Sequence, residues 1–394
     1  MLRVLTISTL FPNVVRPAFG VFVENQTRAL ASLKGVEVRV INPIGLPPTP
    51  FDLHPHYRDL RDLPAQEDWR GLRVARPPML TIPGLSGRFN PALMARAVRP
   101  VIEGWRQEGF AFDVIDAQFF YPDGPAAACL AAELGVPLLV KARGADIHYW
   151  GRQQGCREQI MSAAAQAGCL LAVSQSLARD MAELGMDASK ISVHYTGCDL
   201  DLFRPRDRTT AKVRLRVPGT LIVSLGSLIP RKGHDLVVQA MTELEGATLL
   251  LVGEGSERTR LQKMIQRLGL TDRVRLIGNL PHAALAEVLA AADVMALASE
   301  SEGLANAWIE AMACGTPVVT PAVDGAVEAI DRPAAGRLLR ERSPSAIAAA
   351  IRSILDDPPT PAAVRESAER FSWERNGRQL YEHLVRLAAT RPVQ

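Results

Sequence analysis

Short apolar runs alternate with segments of helical apolar spacing along almost the whole chain. A first set of strand-like runs covers residues 2–8, 36–41, 114–117, 138–141 and 169–173. A second set covers residues 221–225, 248–252, 274–277, 294–297 and 318–320. Strands that alternate with helices in this way predict parallel, doubly wound sheets. Because the two sets are separated near residues 200–220, the pattern predicts an α/β protein with two Rossmann-like domains.

Turn-forming and charged residues mark the expected boundary between the two sets. The charged run 204–208 with Pro205, followed by Pro218-Gly219, is typical of an interdomain linker. We therefore expect an N-terminal domain at residues 1–203 and a C-terminal domain at residues 204–372. Residues 42–90 are rich in Pro and Gly and predict an irregular insertion or a mobile loop.

The last segment, residues 373–394, predicts a helix. A rough apolar stripe is formed by Trp373, Leu380, Leu384 and Leu387. An ordinary terminal helix is the alternative to one with a role in domain assembly.

Composition excludes several classes of protein. The 394 residues carry a formal charge of only +3, which gives no argument for nucleic acid as a partner. No stretch approaches the ~20 apolar residues of a membrane span, and residues 1–7 indicate a first strand rather than a signal peptide. The 5 cysteines are scattered without CxxC spacing, which fits a reducing cytoplasm.

The most informative segment is the loop and helix that follow the strand-like run 294–297. Glu302 precedes the predicted helix, Glu310 lies within it, and Gly315 and Pro317 end it before the next strand. Open α/β sheets bind ligands at the carboxyl ends of their strands, and helix N-termini attract phosphate. Two carboxylates would repel phosphate, so they are better suited to accept hydrogen bonds from hydroxyls. The segment predicts a ligand with phosphates and sugar hydroxyls; a solvated acidic loop is the alternative.

A basic turn follows the predicted strand 221–225. Arg231 and Lys232 lie in this turn, where a guanidinium fork and an ammonium point charge could meet a diphosphate. The G-x(4)-G-K-[ST] pattern of a P-loop is not present. A solvated basic turn is the alternative.

The acidic segment resembles the E-x7-E signature of family 4 glycosyltransferases, which have the GT-B fold of two Rossmann-like domains with an interdomain cleft. The resemblance implies that Glu302 lies near the donor sugar, that Glu310 holds the ribose hydroxyls, and that loop amides of residues 303–306 meet the diphosphate. Matching motifs extend from near residue 10 to Trp373, and the last helix resembles the GT-B helix that crosses back to the N-terminal domain.

The resemblance carries a full set of site residues onto this chain. The implied catalytic residues are Arg143, Arg231, Lys232 and Glu302. The implied donor-binding residues are Gly20, Gly226, Ser227, Gly253, Glu254, Gly303, Leu304, Ala305, Asn306 and Glu310.

Three of the departures from the common family pattern bear on the donor site. The loop after Glu302 reads EGLANA rather than EGFGLP, which leaves the donor sugar open. Ser227 stands where the family has an Arg beside the diphosphate. Arg143 stands where most members have His, and because an Arg stays protonated it could bind phosphate but not act as a base. Pairing of Arg143 with a structural acid such as Asp146 is the alternative.

Two other motifs are rejected. Gly253-Glu254-Gly255 after a strand imitates a dinucleotide fingerprint, but Arg258 replaces its third Gly. Asp199-Leu200-Asp201 imitates a DxD metal motif but lies in the linker stretch. We expect neither a metal nor a cofactor, with a nucleotide-diphosphate sugar as co-substrate.

Residues 88–106 form a basic amphipathic segment that could lie on anionic lipid or contact a lipid-linked acceptor. The alternative is a helix packed on the N-terminal sheet with solvated arginines. We expect a cytoplasmic protein, and peripheral contact with the inner face of the membrane through this segment is left open beside the packed helix.

The expected function is retaining, metal-independent transfer of a sugar to a saccharide, lipid-linked or small-molecule acceptor in glycan or polysaccharide biosynthesis. A GT-B sugar-nucleotide 2-epimerase and a non-catalytic nucleotide-sugar-binding protein remain as alternatives. An epimerase would change the donor without acceptor, and a binding protein would never consume it.

Overall fold

The structure is a computed structural model that describes residues 1–82, 87–217, 219–323 and 325–390. The chain forms two compact units, Met1–Gly197 with Trp373–Gln394 and Cys198–Ser372. The first boundary thus falls between residues 197 and 198, whereas the sequence analysis places it between residues 203 and 204. The charged run 204–208 belongs to the second unit rather than to a linker, and Pro218 of the predicted linker lies outside the described residues.

The described part of the first unit contains ten strands. They are β1 Leu2–Ile7, β2 Val36–Ile41, β3 Ile44–Leu46, β4 Gln66–Trp69, β5 Leu72–Ala75, β6 Pro78–Leu80, β7 Val114–Ala117, β8 Leu138–Ala142, β9 Cys169–Ala172 and β10 Ile191–Val193. Eight form one sheet in the order β10-β9-β8-β7-β1-β2-β5-β4. Every pair in it is parallel except β4 with β5, so the parallel strands end at one edge.

The prediction of an irregular insertion or mobile loop at residues 42–90 is wrong for the described part of that segment. Strands β4 and β5 extend the main sheet, and β3 pairs with β6 in a separate two-stranded sheet. These strands are short, and β4 alternates exposed and half-buried residues, so none of them shows a continuous apolar run.

Helices cover the first sheet. They are α1 Val21–Ala31, α2 Pro55–Arg61, α3 Asn90–Gln107, α4 Asp123–Leu134, α5 Ala145–His148, α6 Gln154–Gln166 and α7 Gln175–Glu183. The inner strands β7 and β8 are buried at every residue, and apart from Asp116 and Lys141 their residues are apolar.

The second unit has a six-stranded parallel sheet in its described residues. Its strands are β11 Thr220–Leu225, β12 Ala247–Val252, β13 Val274–Gly278, β14 Val294–Ala296, β15 Val318–Pro321 and β16 Gly336–Leu339. The order is β13-β12-β11-β14-β15-β16. Successive strands are added on one side of β11 up to β13 and on the other side from β14 onward, so the topological switch point lies between β11 and β14.

The helices of the second unit alternate with these strands. They are α8 Arg208–Leu215, α9 His234–Ala240, α10 Arg258–Arg267, α11 His282–Ala291, α12 Asn306–Ala313, α13 Ala326–Ala329, α14 Pro344–Asp356 and α15 Pro361–Glu366. Strand β12 is buried along its whole length, as expected for a parallel strand covered on both faces.

The last helix, α16 Trp373–Ala388, packs within the first unit. Its buried residues include Leu380, Leu384 and Leu387 of the predicted stripe. The helix lies so close to α1 that a Cβ on Gly377 would be 2.7 Å from the backbone carbon of Ala29.

Candidate active site

The candidate residues of the second unit lie at its topological switch point. The turn containing Gly226 and Ser227 follows β11 and leads to α9, and the loop containing Glu302 follows β14 and leads to α12. Because β11 and β14 are neighbouring parallel strands, both connections leave from the same edge of the sheet. This is the position at which open α/β sheets bind ligands.

An ion-pair cluster joins the two connections. The Nζ of Lys232 donates to Oε1 of Glu302, which also accepts a hydrogen bond of 2.7 Å from the hydroxyl of Ser299. Nη1 of Arg231 lies 3.7 Å from the other oxygen of the Glu302 carboxylate and donates to the carbonyl of Ser301. The structure therefore brings Glu302 to two implied catalytic residues, Arg231 and Lys232, that lie about 70 positions earlier in the sequence. The carboxylate of Glu302 holds Lys232 in place and balances part of the local positive charge.

Close backbone packing fixes the basic turn. The backbone N–H of Glu300 donates to the carbonyl of Arg231 at 2.8 Å. Gly233 has a φ of 64°, and a Cβ there would lie 2.2 Å from the carbonyl oxygen of Ala298. Only glycine fits where the chain enters α9 against the end of β14.

The turn after β12 supports the turn after β11. A Cβ on Gly253 would lie 2.0 Å from the carbonyl oxygen of Gly226, so Gly253 packs backbone against backbone. The carboxylate of Glu254 pairs with Arg258 at 2.8 Å. A packing role accounts for Gly253, and the donor-binding roles of Gly253 and Glu254 stay predictions.

The loop before α12 presents the implied diphosphate-binding amides. Gly303 precedes the buried residues Leu304 and Ala305, and Asn306 is the first residue of the helix. Gly315, with a φ of 78°, follows the helix in the left-handed conformation expected from the sequence. The N-terminus of α12 therefore lies in the loop that carries Glu302.

Glu310 lies on α12 and is half-buried. Burial raises the pKa of Glu310 to about 7. Within the described residues, neither a hydrogen bond nor an ion pair holds this carboxylate. In its ionised form, a carboxylate without such partners is suited to accept hydrogen bonds from ligand hydroxyls.

Sequence reasoning missed two side chains of this region. Nε of Arg342, in the segment after β16, donates to the carbonyl of Ala298 at 2.7 Å, and its Nη2 lies 2.9 Å from the position of a Cβ on Gly233. Nδ1 of His234 lies 2.9 Å from the hydroxyl of Ser224, and burial lowers the pKa of His234 to about 4. A lone Arg and a lone His carry no spacing signal from which these positions could be predicted.

Ser227, which stands where the family has an Arg, is exposed in the turn after β11.

In the first unit, Arg143 follows β8 at the carboxyl edge of the sheet. Its Nε donates to the carbonyl of Gln118 at 2.8 Å, and its Nη2 donates to the side-chain oxygen of Gln118 at 2.5 Å. The guanidinium lies over the ring of Phe22 at 4.6 Å. The carboxylate of Asp146 accepts from the backbone N–H of Arg143, not from a side-chain nitrogen. Burial lowers the pKa of Arg143 to about 10, so the side chain remains a cation at neutral pH.

Gly20 caps the start of α1 with a φ of 73°. A Cβ there would lie 2.4 Å from the backbone carbon of Leu10, so the connection after β1 needs glycine for its own packing. Phe22, two positions on, brings this connection to Arg143.

Comparison with known proteins decides the family. The sequence model described as "Glycosyl transferases group 1" matches residues 205–371, and the one described as "Glycosyl transferase 4-like domain" matches residues 19–197. The chain is also 28% identical over 359 residues to TuaC of Bacillus subtilis, a glycosyltransferase assigned to teichuronic acid biosynthesis, which covers 89% of this chain and 88% of TuaC. The chain belongs to the family 4 glycosyltransferases.

Solved structures show that this glycosyltransferase has the GT-B fold. Sucrose-phosphate synthase from Thermosynechococcus elongatus has a TM-score of 0.80 at 22% identity, over 99% of this chain and 100% of that one. Anabaena HepE in complex with UDP-glucose has a TM-score of 0.74 at 20% identity, over 98% and 100% of the two chains.

The segment predicted to contact a membrane is mostly helix α3 of the glycosyltransferase. Its apolar residues Met94, Val98, Ile102 and Trp105 are buried in the first unit. Arg99 forms a hydrogen-bonded ion pair with Glu133 on α4 at 2.6 Å. The packed-helix alternative therefore accounts for the segment, since its apolar face is not available to lipid. In the described residues, we find no helix that combines the length and the apolar character needed to cross a bilayer.

The carboxylate of Asp199, in the DxD-like pair of the glycosyltransferase, is engaged in a local turn. Oδ1 of Asp199 accepts from the backbone N–H groups of Asp201 and Leu202. The described ranges contain no group of three or more His, Cys, Asp or Glu side chains arranged to hold a metal ion.

Proposed function

We propose that this glycosyltransferase moves a sugar from a nucleotide-diphosphate sugar to an acceptor hydroxyl with retention of configuration. The observation that carries the proposal is the cluster of Lys232, Arg231 and Glu302 at the switch point of the second sheet, beside the N-terminus of α12. It combines cations for a diphosphate with a carboxylate for sugar hydroxyls. The solved complex of HepE with UDP-glucose supports a donor of this class.

Each donor group has a matching partner in the second unit. Glu310 accepts hydrogen bonds from the ribose hydroxyls, and the amides of the 303–306 loop bind the diphosphate together with the positive end of α12. Lys232 and Arg231 balance the diphosphate charge, while Glu302 positions Lys232 and lies near the donor sugar. Gly226 and Ser227 line the same turn.

The reaction needs no protein nucleophile in this proposal. The bond between the anomeric carbon and the diphosphate oxygen breaks, and a bond from that carbon to the acceptor oxygen forms on the same face. The proton of the acceptor hydroxyl passes to the departing diphosphate. The protein contributes fixed positive charge, including Arg143, where negative charge grows in the transition state. We propose that neither a metal ion nor a cofactor takes part.

A donor-alone assay tests the transferase assignment against the two alternatives. Each nucleotide sugar of a panel is incubated with the protein and followed by mass spectrometry and NMR. We expect binding, shown by a rise in melting temperature, with at most slow hydrolysis. Stereochemical conversion of the donor without acceptor would favour the epimerase. Binding without consumption under any acceptor would favour the non-catalytic protein.

Retention of configuration can be measured separately. The coupling constant of the anomeric proton in the first product formed reports its configuration by NMR. We expect the configuration of the donor, formed equally in excess chelator. An inverted product would contradict the same-face mechanism, and activity that depends on added manganese would contradict the metal-independent one.

We propose a lipid-linked saccharide as the acceptor. Loops at the carboxyl edge of the first sheet, together with the end of β6, expose large apolar side chains among the exposed or half-exposed arginines Arg16 and Arg88. These apolar residues, which we call the apolar loops, are Val14, Phe19, Phe51, Leu53, Leu80, Ile82, Phe89 and Tyr149. Apolar surface interspersed with cations suits a lipid that carries an anionic diphosphate. The similarity to TuaC supports a place in polysaccharide synthesis.

Two exposed apolar residues allow a matched test of this acceptor. Phe51 in the apolar loops is 68% exposed, and Val213 in the second unit is 72% exposed. Phe51→Ser should raise KM for a lipid-linked acceptor and leave KM for its water-soluble glycan unchanged, whereas Val213→Ser should change neither. Equal effects of Phe51→Ser on both acceptors would rule out a role for the lipid.

A further inference from the structure

An interior hydrogen-bond network in the first unit begins at Arg143 and centres on Gln118. The side-chain oxygen of Gln118 accepts from Nη2 of Arg143 at 2.5 Å and from Nε2 of Gln26 at 2.8 Å. Its Nε2 donates to the carboxylate of Asp116 at 2.5 Å, and its backbone carbonyl accepts from Nε of Arg143. The guanidinium thus holds the same residue at two points, with the ring of Phe22 against its face.

The amide orientation of Gln118 is determined by its neighbours. Asp116 lies on β7 with only 1% of its surface exposed. Burial raises the pKa of Asp116 to about 6, which still leaves it ionised at neutral pH and able only to accept. The nitrogen of the Gln118 amide must therefore face Asp116, and its oxygen must face Arg143.

Donor and acceptor roles are also determined at the other end of the network, which lies against α16. Nζ of Lys141 contacts the side-chain oxygen of Gln26 at 2.8 Å and Nδ1 of His194 at 2.6 Å. Nε2 of His194 lies 2.9 Å from the carbonyl of Asn376 on α16. A carbonyl only accepts, so Nε2 carries the hydrogen and Nδ1 accepts from Lys141. The network therefore extends, with consistent donors and acceptors, from the terminal helix to Arg143.

We propose that Gln118 is a positioning residue that fixes the Arg143 guanidinium for glycosyl transfer without neutralising it. The proposal rests on the proposed function, in which Arg143 meets the charge of the departing diphosphate. A carboxylate at position 118 would orient the guanidinium but cancel its charge. A neutral amide orients it and leaves the charge available, and the support from Asp116 and Gln26 keeps the amide from turning over.

Loss of the hydrogen bonds between Gln118 and Arg143 should slow the chemical step of the reaction. A misplacement of a catalytic group by about 1 Å can cost about 10²-fold in rate. The Gln118→Met variant keeps the length of the side chain and removes its hydrogen bonds. We expect kcat to fall about 10²-fold, with donor KM nearly unchanged because the donor is held by the second unit.

Two further variants show whether a loss of turnover comes from a misoriented Arg143 or from a misfolded protein. Gln118→Glu should also lose turnover, since its carboxylate would oppose Asp116 and neutralise Arg143. Gln26→Met removes one of the two supports and should cause a smaller loss. Gln166→Met is the matched control, because Gln166 is an exposed residue whose amide bonds within α6, and its turnover should equal that of the unmodified protein.

The deciding experiment combines Gln118→Met with Arg143→Ala. If Gln118 acts through Arg143, the double variant turns over at the rate of Arg143→Ala alone. Losses that multiply in the double variant would overturn the positioning role while leaving Arg143 in the mechanism. Full turnover in Arg143→Ala would instead contradict the proposed function. If Gln118→Met does not fold, as shown by circular dichroism and melting temperature, the same comparison with Gln26→Met decides.

Discussion

At the scale of single residues, Lys232, Arg231 and Glu302 form one ion-pair cluster. The sequence predicted Lys232 and Arg231 for a diphosphate and Glu302 for a sugar. These side chains contact one another across 70 positions of sequence, a pairing that depends on strand order and is not encoded in local spacing. Spacing could predict Glu302 and Glu310 because both lie on one loop-helix segment. It could not predict Arg342, Gln118 or Gln26, since isolated polar residues carry no pattern.

Glu310 gives a prediction in which affinity depends on pH. Because its pKa is about 7 in the free protein and the ionised form is the better acceptor for ribose hydroxyls, affinity should fall as the pH drops below 7. The fall in affinity should be at most about tenfold per pH unit, and the affinity should level off above pH about 8. Calorimetry measures this affinity. An intact nucleotide-diphosphate sugar is the ligand of choice because it has no terminal phosphate that would itself titrate.

The control for the Glu310 prediction is Glu310→Gln, which replaces the carboxylate with a neutral amide of the same shape. Glu310→Gln should bind less tightly at high pH and show a flat profile between pH about 6 and 8. Glu310→Ala should lose about 1.5–3 kcal/mol of nucleotide affinity, the range for a hydrogen bond to a charged group. An unchanged affinity in a folded Glu310→Ala protein would remove Glu310 from the ribose site.

Ser227 gives a prediction about leaving-group charge. The family places an Arg at this position, and Ser227 is exposed in the turn after β11. Arg231→Ala should lower kcat by about 10²-fold with a smaller effect on donor affinity, because the charge of the leaving diphosphate grows towards the transition state. Ser227→Arg should then restore part of the lost turnover. Steady-state kinetics of the single and double variants measure this, and normal turnover in Arg231→Ala would exclude Arg231 from that role.

At the scale of elements, the strands buried along their whole length were predicted, whereas among the edge strands of the two large sheets only β13 was. Strands β7, β8 and β12 are buried at every residue, so their sequences are nearly all apolar. Strand β4 is exposed or half-buried throughout, and β10 has only three half-buried residues. These edge strands form because a neighbouring strand offers hydrogen bonds, which is a long-range condition that periodicity does not reveal.

Two helical glycines provide a matched prediction about packing. A Cβ on Gly377 of α16 would lie 2.7 Å from the backbone of Ala29, whereas a Cβ on Gly104 of α3 meets nothing within 4 Å. Gly377→Ala should destabilise the protein by about 1–3 kcal/mol, since overpacking forces α16 away from α1. Gly104→Ala should stabilise it by about 0.5–1 kcal/mol through the lower entropy of its unfolded chain. Chemical denaturation measures both, and equal shifts in the two variants would contradict the close packing of α16.

At the scale of the whole molecule, the second unit is an insertion in the chain of the first. The chain leaves the first unit after Gly197 and returns at Trp373. The two ends of the second unit lie together, since the backbone N–H of Cys198 donates to the carbonyl of Phe371 at 2.6 Å. The sequence predicted two α/β domains and a terminal helix from periodicity alone. The compact units divide between residues 197 and 198, six residues before the boundary expected from the charged run 204–208, which leads into α8.

The central claim is that this chain transfers a sugar from a nucleotide-diphosphate sugar to an acceptor. The most direct measurement is mass spectrometry of a lipid-linked saccharide acceptor incubated with the donor panel and excess chelator. We expect the acceptor to gain one glycosyl unit for each nucleoside diphosphate released, and Lys232→Ala to lower this rate by about 10²-fold or more. A donor consumed without gain of mass by any acceptor, or full activity in Lys232→Ala, would contradict glycosyl transfer at this site.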